Sequence, residues 1–317
     1  MSIDRRELLG LAAAAPLLGG FDGPADPTET WRLWPEGAPG GERVTVMPEV
    51  RERSTDPSFH DRIALHTRDP ILSVMRPARP NGSSLLLIPG GGYRWAVVDK
   101  EGLDCARVFA AAGVTCFVLR YRLPADGWAA GPDTPLQDAQ RAIRLIRSRA
   151  AAEGLRPDRV GVLGASAGGH LAGMLTARTD AAYAPVDGAD AVGFRPDLSI
   201  LLYPVATMSD PHVHAGSRRQ LLGGAPSPDL IRRYSLERMD WTGAPPLWLV
   251  HAMDDASVPV ENGLGVLAAA RRAKVPVEAH LFEEGGHGFG IRLIAGKPAE
   301  RWPELALAFG RRHGWGT

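Results

Sequence analysis

A serine flanked by small residues, Gly164-Ala165-Ser166-Ala167-Gly168, follows the apolar run Arg159-Val160-Gly161-Val162-Leu163 and precedes His170-Leu171-Ala172-Gly173-Met174-Leu175. Strand, tight turn and helix in that order form the context in which a serine backbone is forced into strained dihedrals and its hydroxyl is pushed to the tip of a sheet. A serine hydroxyl attacks well only if a base takes its proton as it does so. Downstream, residues 277–282 read as a strand leading into Gly285-Gly286-His287-Gly288-Phe289-Gly290, where a histidine between glycines is free to approach a nucleophile. His287 is therefore the candidate general base, and later the general acid for a leaving alkoxide. Between the two, a buried-strand pattern at 246–250 runs into His251-Ala252-Met253-Asp254-Asp255-Ala256-Ser257-Val258-Pro259. Asp254 or Asp255 would hold the imidazole tautomer and stabilise the imidazolium. The chemistry implied is nucleophilic acyl transfer.

Such a reaction also needs donors for a tetrahedral oxyanion. The apolar stretch Ser84-Leu85-Leu86-Leu87-Ile88 ends in Pro89-Gly90-Gly91-Gly92-Tyr93. Three glycines at a strand end leave backbone amides unobstructed, and Gly91 and Gly92 are the expected donors. Their partner would be the amide of Ala167, one residue beyond the serine.

Elements that would position these groups are legible as a rhythm. Apolar runs at 84–88, 114–121, 158–163, 197–203, 246–250 and 276–282 alternate with helical patterns. That alternation predicts an α/β fold, with a mostly parallel sheet covered by helices on both faces. Segments near 43–48 and 71–76 are expected to add antiparallel edge strands. Thr134-Pro135-Leu136-Gln137 carries the signature of a capped helix start, with Thr134 as N-cap. Leu136, Ala139, Ile143, Ile146 and Ala150 then fall on one face, which places the arginines at 141, 144, 147 and 149 on a solvated one.

On these motifs the chain resembles α/β-hydrolases of the carbohydrate-esterase type, similar to bacterial acetylxylan and related xylan esterases, some of which bear a xylanase name. The resemblance runs from about Trp31 to the C-terminus. It extends to Leu33-Trp34-Pro35-Glu36-Gly37-Ala38-Pro39-Gly40, Asp99-Lys100-Glu101-Gly102, Pro135-Leu136-Gln137-Asp138-Ala139 and His214-Ala215-Gly216-Ser217-Arg218. It implies an α/β-hydrolase fold with a small cap region over the site, serine ester hydrolysis without a cofactor or metal, and an oligosaccharide or small-molecule ester as substrate. The family spacing, counted from His251 and from Val258, selects Asp255 as the acid and leaves Asp254 to stabilise its loop. Similarity also implies that Tyr93, His214 and Arg218 contact substrate or, for the last two, order a loop. His212 and His214 have a His-x-His spacing, but no carboxylate or cysteine stands out to complete a metal site. Trp95 departs from the family, whose members have small residues there, and its indole would narrow the pocket or stack on a sugar face. No paired-carboxylate constellation suited to glycoside hydrolysis stands out. A peptidase of the prolyl-oligopeptidase class shares the triad order but adds a large propeller that 317 residues do not accommodate. A binding scaffold on the same fold need not keep all three triad residues.

Composition narrows the partners. Lys+Arg and Asp+Glu each total 36 and no basic run appears, so nothing recruits nucleic acid or an anionic membrane. Apolar residues make up 44%, enough for a large core. Asp4-Arg5-Arg6-Glu7 followed by an apolar core of about eleven residues over 10–20 fits a twin-arginine export leader within 1–25, too short for an integral span. The expected location is periplasmic or secreted, with one domain over 31–317. Cys105 and Cys116, the two cysteines, read as small buried apolar residues in a helix and a strand.

Overall fold

The computed structural model describes residues 26–317, so the leader expected over 1–25 lies outside the described residues. In chain order the strands are β1 (Thr30–Arg32), β2 (Glu49–Glu52), β3 (Arg62–Leu65), β4 (Ile71–Met75), β5 (Ser84–Ile88), β6 (Ala96–Val97), β7 (Thr115–Arg120), β8 (Val160–Ala165), β9 (Leu198–Leu202), β10 (Leu247–Ala252) and β11 (Val277–Phe282). The helices are α1 (Asp104–Ala111), α2 (Thr134–Arg149), α3 (Ala167–Ala177), α4 (Ala215–Leu222), α5 (Pro228–Arg233), α6 (Glu261–Arg272) and α7 (Trp302–Arg312).

Among the described residues eight strands form one sheet in the order β1-β4-β7-β5-β8-β9-β10-β11. From β7 to β11 the pairing is parallel, while β1 and β4 join antiparallel at one side. Strand alternation divides the core between two faces. Leu86, Ile88, Val160, Val162, Leu247 and Leu249 meet α2, α3 and α6, whereas Leu85, Leu87, Leu163, Trp248 and Val250 meet α1 and α7. Strands buried on both sides explain why the apolar runs are nearly continuous. The chain passes from β5 to β7 on one side and then crosses back to β8 on the other. The crevice at the strand C-termini between β5 and β8 is therefore a topological switch point, the usual ligand position in open α/β sheets.

Four expectations need correction. Residues 43–48 are not a strand; the strand is β2, which pairs with β3 in a separate three-stranded sheet ordered β2-β3-β6. β4 is not an edge strand, because the three-residue β1 covers its outer side. Thr134 does not cap α2: a 3-10 turn, Gly131–Asp133, runs directly into the helix, so Thr134 is already helical and the Gln137 side chain bonds Arg122 and the Ala182 carbonyl instead.

The fourth concerns Arg141 and Arg144 of α2, since Arg149 is exposed as expected and Arg147 is half-buried. Arg141 is fully buried and Arg144 nearly so, because the 180–197 segment packs over that face. Arg141 pairs with Asp190 at 2.9 Å and with Asp187, and Arg144 lies over the Tyr183 and Phe194 rings. Arg147 reaches Asp197 at 2.8 Å. Burial disfavours the charge on Arg141, but its two carboxylates outweigh this and raise its pKa. Nearby, the Trp34 indole N–H donates to Asp138 (2.7 Å), and the wholly buried Arg122 forks onto the same carboxylate. Two sequence-distant motifs are thereby locked together.

Candidate active site

Ser166 follows β8 in a strained conformation, φ 54° and ψ −120°, immediately before α3. That strain persists because its backbone is fixed on both sides. Its N–H donates to Leu202 at the end of β9, and its carbonyl accepts from Val205. The flanking glycines are required by close approach: a Cβ on Gly164 would lie 2.2 Å from the Gly168 carbonyl, and one on Gly168 would lie 2.0 Å from that of Ile88.

The loops after β10 and β11 carry the other two groups. His287 Nε2 lies 2.9 Å from Ser166 Oγ, and His287 Nδ1 lies 2.7 Å from Asp255 Oδ2. With Nδ1 donating to the carboxylate, Nε2 is left to accept from the serine hydroxyl. The second oxygen of Asp255 accepts from the backbone N–H groups of Ser257 (3.0 Å) and Val258 (2.8 Å). Burial alone would raise the Asp255 pKa, but hydrogen bonds from His251, His287 and Val258 outweigh it and hold the carboxyl below the ordinary range. Ser166 and Asp255 are buried, while the His287 side chain keeps 23% of its surface exposed at the mouth of the site. Asp254 turns the other way, and its carboxylate accepts from Gly286 N–H at 2.8 Å, bracing the histidine loop.

Gly91 and Gly92 follow β5 with φ of 124° and 65°. Register explains their height: Ile88 pairs with Gly164, so the glycine turn emerges level with Ser166. The amides of Gly91, Gly92 and Ala167 make no hydrogen bond among the described residues, and Ala167 opens α3, whose first N–H groups lack helical acceptors. A charge developing beside Ser166 thus finds unpaired donors and the positive end of a helix.

Tyr93 does not face substrate. Its side chain is buried, and its hydroxyl donates to His170 Nδ1 (2.8 Å), whose Nε2–H donates to the Tyr234 carbonyl (2.7 Å). Trp95 is partly exposed and lies against the oxyanion turn, its Cδ1 2.5 Å from where a Gly91 Cβ would stand. His214 caps α4: its Nδ1 accepts from Ser217 N–H (3.1 Å), and Cε1 lies 3.8 Å from a Cβ built on Gly92. Burial, aided by the neighbouring His287, lowers its pKa. Arg218 holds the preceding loop through the Met208 carbonyl (3.2 Å) and Asp210 (3.1 Å). His212 lies 3.7 Å from Glu261. Cys105 and Cys116 are free and buried, and burial pushes both thiol pKa values up.

Sequence reasoning gave no role to His251, Glu101 or Tyr203. His251 is fully buried, with Nε2 2.9 Å from the Val258 carbonyl and 3.4 Å from Asp255. Its place at a strand end, four residues before Asp255, was the available signal. Glu101 lies in the Asp99-Lys100-Glu101-Gly102 motif, but nothing local indicates which backbone it meets.

Comparison with known proteins gives the same picture. The chain is 33% identical over 220 residues to an acetylxylan esterase of Xylanibacter ruminicola, covering 68% of this chain and 42% of that protein. It is 34% identical over 213 residues to an endo-1,4-beta-xylanase B of Butyrivibrio fibrisolvens, covering 65% and 32% respectively. The chain thus spans less than half the length of these curated relatives. The solved acetyl ester-xyloside bifunctional hydrolase of Caldicellulosiruptor lactoaceticus superposes with a TM-score of 0.71 at 31% identity, over 90% of this chain and 96% of that one. Residues 85–291, from the oxyanion strand to just beyond His287, match the family model described as the alpha/beta hydrolase fold, and the chain belongs to that family.

Proposed function

We propose that this protein is a serine carboxylic ester hydrolase that removes acetyl groups from carbohydrates such as acetylated xylan. The observation that carries the reading is the unbroken hydrogen-bond chain Ser166–His287–Asp255, 2.9 and 2.7 Å long, beside three unpaired backbone amides. Support for the acetylated carbohydrate comes from the named activities of the acetylxylan esterase and the acetyl ester-xyloside hydrolase.

In the first half-reaction Ser166 Oγ attacks the acyl carbon as its proton passes to His287 Nε2. The carbonyl electrons move onto oxygen, held by the amides of Gly91, Gly92 and Ala167. Asp255 stabilises the imidazolium, which then protonates the departing sugar alkoxide. Water repeats the sequence on the acyl-enzyme, releasing acetate and restoring Ser166. His214 supplies a substrate contact. Because its Nδ1 accepts from Ser217, its proton sits on Nε2, which has no partner among the described residues and can donate to the alcohol portion. Trp95 lies on the same rim and offers an indole face to a sugar ring. The twin-arginine leader pattern supports export, which would bring the enzyme to extracellular polysaccharide.

Acetate release from acetylated xylooligosaccharides, read by mass spectrometry beside proline-containing peptides, tests the substrate class. Ser166→Ala should reduce turnover of an activated acetate ester by at least about 10³-fold while keeping the fold, and should abolish fluorophosphonate labelling. Wild-type turnover in the folded Ser166→Ala protein would overturn the mechanism; cleavage of the peptides in place of the esters would overturn the substrate class.

A further inference from the structure

We propose that Glu101 is a positioning residue which ties the oxyanion turn to the histidine loop through Tyr203. This rests on the ester-hydrolase reading. Glu101 lies in a π-helical turn, Asp99–Leu103, with only 3% of its surface exposed. One carboxyl oxygen accepts from Gly90 N–H at 2.8 Å, and the other accepts from the Tyr203 hydroxyl at 3.0 Å. The Tyr203 oxygen in turn accepts from Gly290 N–H at 3.1 Å. Gly90 precedes the two donor glycines, and Gly290 lies three residues beyond His287. The buried Tyr203 ring packs edge-on against the His287 imidazole, with centroids 5.2 Å apart.

Contact around this carboxyl group is tight. A Cβ on Gly90 would stand 2.6 Å from Glu101 Oε2 and 2.8 Å from Ser166 Cβ, and one on Gly288 would stand 3.5 Å from Glu101 Oε1. Glu101 therefore adjoins the backbone on both sides of the reacting hydroxyl without reaching the substrate position. Its function requires a group with two acceptor oxygens, because both arms present donors. If the anchor is lost, the Gly91 and Gly92 amides and the His287 ring lose their shared frame. Those groups matter most once charge has developed, so the loss should fall on kcat more than on KM.

Glutamine keeps the shape of Glu101 but offers one acceptor, so the Tyr203 hydroxyl proton loses its partner. Glu101→Gln should lower kcat for acetate esters by roughly 10- to 100-fold, with KM changed less than about threefold. Tyr203→Phe removes one oxygen and leaves the ring packing, and should lower kcat by about 10-fold. The double variant should be no slower than the slower single variant, because both break one linkage. Affinity for a boronic acid, which mimics the tetrahedral state, should fall in parallel with kcat/KM. Unchanged kcat in folded Tyr203→Phe, or effects of the two substitutions that multiply independently, would overturn the linkage. Should Glu101→Gln fail to fold, Tyr203→Phe with the boronate measurement still decides. A wild-type protein that neither hydrolyses esters nor takes the fluorophosphonate would instead sink the ester-hydrolase reading itself.

Discussion

Asp254 and Asp255 are adjacent in the chain, yet their carboxylates serve different loops. Asp255 faces His287 Nδ1 and is fixed by two backbone amides, while Asp254 reaches Gly286. Asp255→Asn keeps the shape but removes the charge that stabilises the imidazolium and favours the wrong tautomer. Turnover should fall by about 10⁴-fold at neutral pH, read as kcat on an activated acetate ester. Asp254→Asn weakens one exposed hydrogen bond, worth about 1 kcal/mol at most, and should change kcat less than about fivefold. Equal losses in the two variants would reverse the assignment. In the sequence, the choice between them rests on the resemblance to the carbohydrate esterases, whose spacing from His251 and Val258 points to Asp255. The structure supplies the physical basis for that spacing: the Val258 amide and the His251 ring both hold the Asp255 carboxylate.

Among elements, α2 departs most from its sequence pattern. Its apolar stripe is real, but the face assigned to solvent lies beneath the 180–197 segment, which brings Asp187 and Asp190 onto Arg141. Asp190 also accepts from the Tyr183 hydroxyl and the Val186 amide, so it organises the segment that covers the helix. Asp190→Ala leaves Arg141 and Arg144 without a buried counter-charge, and should cost about 3–5 kcal/mol in urea denaturation. A loss below about 1 kcal/mol would mean that Asp187 and solvent suffice. Helical periodicity reports which side chains share a face, not what packs on that face. A charged stripe therefore reads as exposed unless the segment covering it is known.

At the scale of the molecule, His170 links the oxyanion turn to the end of α5 through Tyr93 and the Tyr234 carbonyl. Burial lowers its pKa from the ordinary 6.5 to about 4, only partly offset by the bond to Tyr234. Above pH 6.5 neither folded nor unfolded chain carries this proton. Between pH 6.5 and 4 the unfolded state takes it up and the native state does not, so stability falls through that window by about 3 kcal/mol and levels off below it. His170→Gln removes this contribution. The stability advantage of wild type over the variant, measured by denaturation at pH 7 and pH 4, should shrink by that amount. A constant difference would show that His170 protonates freely when folded. The amino-acid sequence by itself determined the nucleophile turn, the histidine loop, the glycine-rich strand end and the alternating parallel core, because each is written in a few contiguous residues whose sterics and apolarity are local. Tertiary structure alone decided that Tyr93 points inward, that Arg141 and Arg144 are buried, that β4 is flanked on both sides, and that Glu101 meets Gly90 and Tyr203. Those outcomes depend on which distant segment fills the adjoining space, and no local pattern encodes the identity of a neighbour brought in by packing.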